Sequence, residues 1–337
     1  MVSTLITLVL SLAAILAAAV VFTNAVEMLG DRLRLGGGAV GSVLAAVGTA
    51  LPETMIPVVA IVGALLTGGG VAEQIGVGAI LGAPFLLTTL AMFVVGASAL
   101  GFRGRRESGV KLDVDQETTR RDLLYFLVFF ALAAGAGLVP LPFYAKAALA
   151  VLLVGAYAFY VRQTIKSGGE EQEEPPERLW IWPFGSEAPT WAVCAQLALT
   201  VGVMAVGAHF FVGVVEHLSK SIGIPAGIIA LVLAPLATEL PEKFNSVYWM
   251  RDNEDTLAFG NITGAMVFQS MIPVALGLVF TPWGFGFLNA LAAGLALLSG
   301  GLLYGLLGRK GRVRGAYLLL GGFFYAAFLA AALVSIL

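Results

Sequence analysis

Apolar residues form long uninterrupted runs along the whole chain, and the polar residues are gathered in the segments between them. Each run is comparable in length to the ~20 helical residues that cross a hydrocarbon core. Polar and apolar positions do not alternate within the runs, as they would in membrane-spanning strands, so the pattern predicts helices. Ten runs are recognised, at residues 2–26, 38–66, 74–100, 122–139, 143–161, 190–215, 224–249, 256–280, 284–307 and 315–336.

The composition indicates a membrane domain that extends over the whole chain. Of the 337 residues, 59% are hydrophobic and 12% are charged, whereas about 25% of the residues in ordinary soluble domains are charged. No lysine or arginine precedes the first run, so we expect it to be retained as a span and not cleaved as a secretory signal. The single cysteine, Cys194, excludes an internal disulfide and a cysteine-based metal site.

The charged residues predict the orientation of the spans and exclude one class of partner. The net charge of -2 provides no basic patch for a nucleic acid. Sixteen of the nineteen lysines and arginines lie in loops that follow odd-numbered spans, or next to them, and such positively charged loops face the cytoplasm. We therefore expect an integral protein of a prokaryotic plasma membrane, with both termini outside.

A polar segment at residues 162–189 separates the first five spans from the last five. It contains an acidic run with two adjacent prolines, from Glu170 to Glu177, and this composition is typical of solvated connectors. We interpret the segment as a cytoplasmic linker, with a regulatory cation site as the alternative. The predicted organisation is a first five-helix repeat at residues 1–161, the linker, and a second repeat at residues 190–337.

The two halves share a motif with the same spacing. Residues 48–53 read Gly-Thr-Ala-Leu-Pro-Glu, and residues 237–242 read Ala-Thr-Glu-Leu-Pro-Glu. In both halves another glutamate stands 26 residues before the last residue of the motif. A Gly-x-x-x-Gly block follows each motif, formed by Gly78 and Gly82 in the first half and by Gly260 and Gly264 in the second.

This internal repeat predicts the fold. Each copy holds five spans, an odd number, so the second copy enters the membrane in the direction opposite to the first. Inverted repeats are characteristic of secondary transporters, in which the substrate lies near the midplane between the two copies. The predicted fold is therefore an all-α membrane protein with ten transmembrane helices arranged as two inverted five-helix repeats.

The two motifs provide candidate cation ligands near the centres of the second and seventh spans. A carboxylate at that depth costs at least about 2.5 kcal/mol unless it faces a cavity, a partner or an ion. Each motif proline lacks an amide hydrogen, so the carbonyl four residues earlier loses its helical donor. Ca²⁺ binds roughly six to eight such oxygens. The candidate ligands are the carboxylates of Glu53 and Glu242, the hydroxyls of Thr49 and Thr238, and the carbonyls of Gly48 and Ala237.

These paired Gly/Ala-Thr-x-Leu-Pro-Glu motifs, each followed by a Gly-x-x-x-Gly block, resemble the alpha-repeats of the calcium/cation antiporter superfamily. The sodium/calcium exchanger branch is the most similar, and the resemblance covers essentially the whole chain. It implies that Glu53 and Glu242, with Thr49 and Thr238 beside them, bind Ca²⁺ and exchange it for Na⁺ or H⁺ by alternating access. Ca²⁺ is then a transported substrate, and no cofactor is implied.

The sequence departs from that family at two places. Family members commonly continue the later block as Gly-Ser-Asn, whereas residues 82–84 read Gly-Ala-Pro and residues 264–266 read Gly-Ala-Met. The second block keeps one polar residue, Asn261, which we count among the candidate ligands. Its counterpart in the first half is Ala79.

The second motif has also gained a charged pair. Glu239 and Lys243 stand where the first motif has Ala50 and Thr54, and in a helix they would face each other at i,i+4. Glu239 is a further candidate ligand. Lys243 is interpreted either as a tethered cation that replaces one coupling ion or modulates proton coupling, or as half of a structural ion pair.

Two further functions remain as alternatives to a cation antiporter. An intramembrane enzyme would also bury acids, but the chain has no His-Glu-x-x-His metal site, and its carboxylates occur once per repeat. A degenerate relative that no longer transports is the other alternative. Oxygen ligands also accept Mn²⁺ and Mg²⁺, so Ca²⁺ is not the only substrate compatible with the motifs.

Overall fold

A computed structural model describes residues 2–32, 40–167, 178–182, 188–307 and 312–335. Within its helices it describes only the backbone at residues 30, 31, 40–50, 52 and 240–242. The described helices are α1 (Val2–Arg32), α2 (Val40–Thr67), α3 (Val71–Leu86), α4 (Met92–Gly101), α5 (Gln116–Leu138), α6 (Phe143–Ser167), α7 (Thr190–Ile222), α8 (Ala226–Lys243), α9 (Asn245–Arg251), α10 (Asp255–Phe280), α11 (Phe287–Leu306) and α12 (Gly315–Val334).

Each of the ten predicted runs falls on one or two of these helices. Within the described residues, eight helical segments are long and apolar enough to cross a membrane. In the two motif-bearing runs, the fully described apolar segments are the shorter pieces Glu53–Thr67 of α2 and Ala226–Glu239 of α8. The prediction of a helical membrane protein is confirmed, while the number of ten crossings and the inverted repeat stay predictions.

Two of the runs are interrupted where a single helix was predicted. The third run consists of α3, a π-helical turn at Leu87–Ala91, and α4. The seventh run consists of α8 and α9, which are separated at Phe244. Pro84 precedes the π-helical turn by three residues, and Pro241 precedes the end of α8 by two, so both breaks follow a residue that removes a helical hydrogen bond.

The all-α prediction missed one small sheet outside the spans. Strands β1 (Lys111–Asp113) and β2 (Arg312–Arg314) pair antiparallel, with Leu112 opposite Val313. Both of these side chains are buried, and their neighbours in the strands are exposed. Three-residue strands are too short to produce a detectable alternation in the sequence.

The loops that follow the third, seventh and ninth runs meet at one end of the molecule. Arg106 donates to both carboxylate oxygens of Asp255, at 2.6 and 2.8 Å, and so joins the first of these loops to the start of α10. The pairing of β1 with β2 joins it to the loop before α12. All of these loops follow odd-numbered runs. If consecutive runs cross the membrane in alternating directions, such loops lie on the same side.

Loops that follow even-numbered runs meet elsewhere. The Lys146 ammonium donates to the carbonyls of Thr281 and Pro282, at 3.2 and 3.1 Å. A cavity of about 450 Å³ is lined by the first residues of α3 and α11, the residues around the start of α8, and Ser335 after α12. The two sets of loops are therefore separated as the predicted topology expects.

Helices α1 and α7, which the sequence repeat makes equivalent, run antiparallel. The amide of Gln196, near the start of α7, donates to Asn24 in the last third of α1 at 3.1 Å. Gly207, in the middle of α7, packs against Ile15 in the middle of α1. Equivalent helices of an inverted duplication have this relative direction, so the arrangement supports the predicted inversion.

Candidate functional site

Glu53 lies in the middle of α2, at the contact between the two halves of the chain. Its Oε2 accepts a hydrogen bond of 2.6 Å from the side-chain amide of Gln269 on α10. Glu53 is partly buried, and Gln269 is 2% exposed. Helix α2 continues through Pro52, which agrees with the tolerance of membrane helices for proline where neighbouring groups satisfy the freed backbone.

The charged pair of the second motif is fully buried. The Lys243 ammonium lies 3.9 Å from Glu239 Oε2, and the two side chains are 2% and 0% exposed. Helix α8 extends through Pro241 to Lys243, so the predicted i,i+4 arrangement is present. The ammonium also donates a 3.1 Å hydrogen bond to Asn261 Oδ1 on α10. A charge buried in a span costs about 2.5–3.5 kcal/mol unless such partners are present.

Helix α10 contacts both motif-bearing helices. Asn261 binds Lys243 of α8, and Gln269 binds Glu53 of α2. These two α10 residues are eight positions apart, or about 12 Å along the helix axis. A Cβ atom added at Gly260 or Gly264 would meet no described atom within 4 Å, so the described part of the chain leaves space along this stretch of α10.

The remaining predicted ligands are placed less completely. Thr238 is buried, and its hydroxyl donates to the carbonyl of Ala234 at 3.1 Å. Ala237 is partly buried. The side chains of Thr49 and Glu242, and the surroundings of Gly48, lie outside the described residues. Among the side chains that are described, no three His, Cys, Asp or Glu residues come together as a metal cluster.

The glycines of the first Gly-x-x-x-Gly block bring α3 against α8. A Cβ atom at Gly78 would fall on the carbonyl oxygen of Gly227, and one at Gly82 would fall on that of Leu231. Only glycine permits backbones to approach so closely. Helix α8, which carries Glu239 and Lys243, is thereby held against the other half of the chain.

The π-helical turn after Pro84 lies beside α11. The Ser299 hydroxyl of α11 donates to the Thr88 carbonyl at 2.7 Å. Thr88 itself donates to the carbonyl of Pro84 at 2.8 Å, and it is completely buried. Such turns are frequent at functional sites, but here the Thr88 hydroxyl already donates to a carbonyl of its own helix.

One buried acid near α10 was missed by the sequence reasoning. Asp122 of α5 is 2% exposed, and it accepts hydrogen bonds from Tyr160 at 2.9 Å and from Thr263 at 2.8 Å. The apolar run was predicted to begin at Asp122, whereas α5 begins at Gln116, so Asp122 lies inside the helix. An acid at the edge of an apolar run, directly after two arginines, was the available signal.

A helical membrane domain with buried acids on helices from both halves has the features of a secondary transporter. The family described as "Sodium/calcium exchanger protein" matches residues 3–165 and 193–336. The chain belongs to this family, as the resemblance of its motifs implied, and it is an integral membrane protein. Because the family is one of transporters, the intramembrane enzyme is no longer supported.

Two curated relatives match about half of the chain. The candidate antiporter CaxA of Alkalimonas amylolytica is 27% identical over 193 residues, which are 52% of this chain and 59% of that protein. The uncharacterized membrane protein MJ0091 of Methanocaldococcus jannaschii is 24% identical over 161 residues, which are 48% of this chain and 50% of that protein. The matches thus span between half and three fifths of the length of these relatives.

Solved structures of exchangers share the fold over nearly the whole chain. The H⁺/Ca²⁺ exchanger CAX aligns with a TM-score of 0.72 and 18% identity, and covers 98% of this chain and 82% of its own. YfkE aligns with a TM-score of 0.67 and 13% identity, at 98% and 91% coverage. The sodium-calcium exchanger NCX_Mj aligns with a TM-score of 0.58 and 20% identity, at 98% and 98% coverage.

Proposed function

We propose that this protein is a secondary active cation antiporter that exchanges Ca²⁺ for Na⁺ or H⁺ by alternating access. The observation that carries the proposal is the 2.6 Å hydrogen bond between Glu53 and Gln269. It joins a motif carboxylate of the first half to a helix of the second half, inside the membrane-spanning region. In transporters built from two repeats, the substrate lies at this kind of boundary.

The proposed architecture is ten transmembrane helices as two inverted five-helix repeats, with both termini outside and residues 162–189 in the cytoplasm. The antiparallel α1 and α7, joined by Asn24 and Gln196, support the inversion. The separation of odd-run and even-run loops supports the alternating passes. A prokaryotic plasma membrane agrees with the bacterial and archaeal sources of the relatives.

The proposed cation site combines oxygen atoms from both motifs with those of α10. Oxygen ligands of this kind suit hard divalent cations, and Ca²⁺ accepts the irregular geometry that two helices and freed carbonyls provide. Names of the related proteins refer to both Na⁺ and H⁺ as exchanged ions, so both are tested. The proposed ligands are Glu53, Glu242, Glu239, Thr49, Thr238, Asn261 and the carbonyls of Gly48 and Ala237.

Uptake of ⁴⁵Ca²⁺ into proteoliposomes tests the proposal. The purified protein is assayed with an outward Na⁺ gradient, an outward H⁺ gradient, and neither. We expect one gradient to stimulate uptake, and we expect Glu53→Gln and Glu242→Gln each to reduce the stimulated uptake at least about tenfold, the equivalent of ~1.4 kcal/mol. Unlabelled Mn²⁺ and Mg²⁺ as competitors identify the preferred cation.

The matched control is Glu117→Gln, which removes an exposed carboxylate in the first turn of α5. We expect it to transport like the wild type. Gradient-driven uptake that survives both motif substitutions would remove the site assignment. A wild-type protein that transports none of the cations under any gradient would instead favour a degenerate relative that no longer transports. The Ala-Pro and Ala-Met residues that follow Gly82 and Gly264, where the family commonly has Ser-Asn, would agree with that result.

A further inference from the structure

Lys243 is held where a small cation would be bound. Its ammonium has an amide oxygen of Asn261 at 3.1 Å and a carboxylate oxygen of Glu239 at 3.9 Å. Asn261 is on α10 and Glu239 is one turn earlier on α8, so the ammonium bridges two helices. Amide and carboxylate oxygens are the ligands that hard cations take in proteins. The lysine thus occupies oxygens suited to a coupling ion.

The three residues of this contact differ together between the two halves. Glu239, Lys243 and Asn261 correspond in the first half to Ala50, Thr54 and Ala79. The first half therefore lacks the acid, the ammonium and the amide at once. A structural ion pair needs only the acid and the ammonium. A cation held by two ligands needs the amide of Asn261 as well.

We propose that Lys243 is a built-in monovalent cation that takes the place of one coupling ion, so that one Ca²⁺ is exchanged for two monovalent cations without net charge movement. This inference rests on the proposed function. A transported Na⁺ or H⁺ leaves the site during the cycle, but a tethered ammonium does not. It neutralises one carboxylate in every state and displaces one mobile ion.

The charge of the proposed ligand set gives the number of exchanged ions. Among the proposed ligands, Glu53, Glu239 and Glu242 carry three negative charges, and with the Lys243 ammonium the net charge of the set is minus two. One Ca²⁺ neutralises this charge, and so do two monovalent cations. Removal of the ammonium changes the net charge to minus three. One Ca²⁺ does not neutralise this charge, whereas three monovalent cations do. The exchange would then move charge across the membrane.

The test measures the stoichiometry of exchange in proteoliposomes with the full-length protein. The ⁴⁵Ca²⁺ flux is recorded at several membrane potentials set by K⁺ gradients and valinomycin, with the gradient that drives uptake in the wild type. At zero potential, the Ca²⁺ gradient at which net flux stops should equal the square of the coupling-ion gradient. We expect the wild-type flux to be independent of potential.

The variants separate the charge of Lys243 from its structural role. Lys243→Met should make the flux depend on potential and shift the equilibrium Ca²⁺ gradient to the cube of the coupling-ion gradient. Lys243→Arg, which keeps the charge, should keep the square relation and a flux independent of potential, whatever its effect on the rate of transport. A double variant, Glu239→Gln with Lys243→Met, returns the site to minus two and should restore the square relation. The control Lys220→Met removes a cation from the last turn of α7 and should change nothing.

The outcomes distinguish the inference from the function on which it rests. A wild-type protein that exchanges Ca²⁺ with a potential-dependent flux overturns the inference and leaves the antiporter intact, and so does a Lys243→Met variant that keeps the square relation. A Lys243→Met variant that does not fold leaves the wild-type measurement and the double variant to decide. Absence of any exchange in the wild type overturns the proposed function itself.

Discussion

Gln269 donates its side-chain amide to Glu53 at 2.6 Å, across the boundary between the two halves of the chain. The position equivalent to Gln269 in the first half is Leu87, whose side chain has no hydrogen-bond donor. Glu53 is therefore oriented by an amide that the other half of the chain does not repeat.

Gln269→Leu should weaken Ca²⁺ binding by the antiporter. The substitution copies the first-half residue and removes the donor that orients Glu53, and hydrogen bonds to charged groups contribute about 1.5–3 kcal/mol. We expect the apparent KM for Ca²⁺ in proteoliposome uptake to rise at least about tenfold. Ser270→Ala is the control, because the hydrogen bond described for its hydroxyl stays within its own helix, to Val267 at 3.0 Å. Equal effects of the two substitutions would contradict the role of Gln269.

The sequence predicted what depends on local geometry. The Glu239–Lys243 contact follows from helical spacing once α8 continues through Pro241, and the central position of Glu53 in α2 follows from the bounds of its run. The partners Gln269 and Asn261 lie on another helix, and their contacts depend on how α10 packs. Hydrophobic patterning specifies which segments cross the membrane, but not which face of α10 meets α2 or α8.

An error in one predicted boundary concealed a buried acid. Residues 116–121 are polar, so the fourth apolar run was begun at Asp122, although helix α5 starts at Gln116. The shift made a buried acid resemble an interfacial one. The strand pair of Leu112 and Val313 was missed for a related reason, since its burial depends on a contact between loops that are distant in sequence.

Asp255→Ala should destabilise the fold strongly. Arg106 and Asp255 form a two-point ion pair in which the side chains are 0% and 4% exposed. Removal of one partner leaves a buried charge without compensation, which costs about 3–5 kcal/mol. We expect a corresponding decrease in the free energy of unfolding, measured by thermal unfolding of the purified protein in detergent.

The exposed ion pair of the same region provides the comparison. Arg312 and Asp113 are 57% and 53% exposed and lie 3.1 Å apart. Pairs of this kind contribute about 0–1 kcal/mol, so Asp113→Ala should have a small effect. If Asp255→Ala were as mild as Asp113→Ala, the pair of Arg106 and Asp255 would not be what joins the loop to α10.

Gly78→Ala should separate α3 from α8. The added Cβ would fall on the Gly227 carbonyl oxygen, which is part of the backbone and cannot move aside as a side chain can. Overpacking of this kind costs about 1–3 kcal/mol or more, and we expect a lower melting temperature and lower transport. Gly213→Ala is the matched control, because Gly213 is an exposed helical glycine and the added Cβ would meet no described atom from elsewhere within 4 Å. A stable, active Gly78→Ala protein would refute the close approach.

Cysteine labelling should reveal the orientation of the molecule. In a Cys194→Ser background, Glu107→Cys places a thiol in an exposed position of the loop after α4, and Gly284→Cys places one in the exposed loop before α11. The first loop contains several arginines, and positively charged loops remain in the cytoplasm. We expect a membrane-impermeant maleimide to label Gly284→Cys in intact cells, and Glu107→Cys only after permeabilisation.

The two thiols control for each other, because each variant is labelled in both intact and permeabilised cells. The reverse pattern would place the termini in the cytoplasm and contradict the expected orientation, while keeping the separation of the two sets of loops. Labelling of both thiols from one side would contradict that separation, since Arg106 and Lys146 hold the two regions to different partners, Asp255 and Thr281.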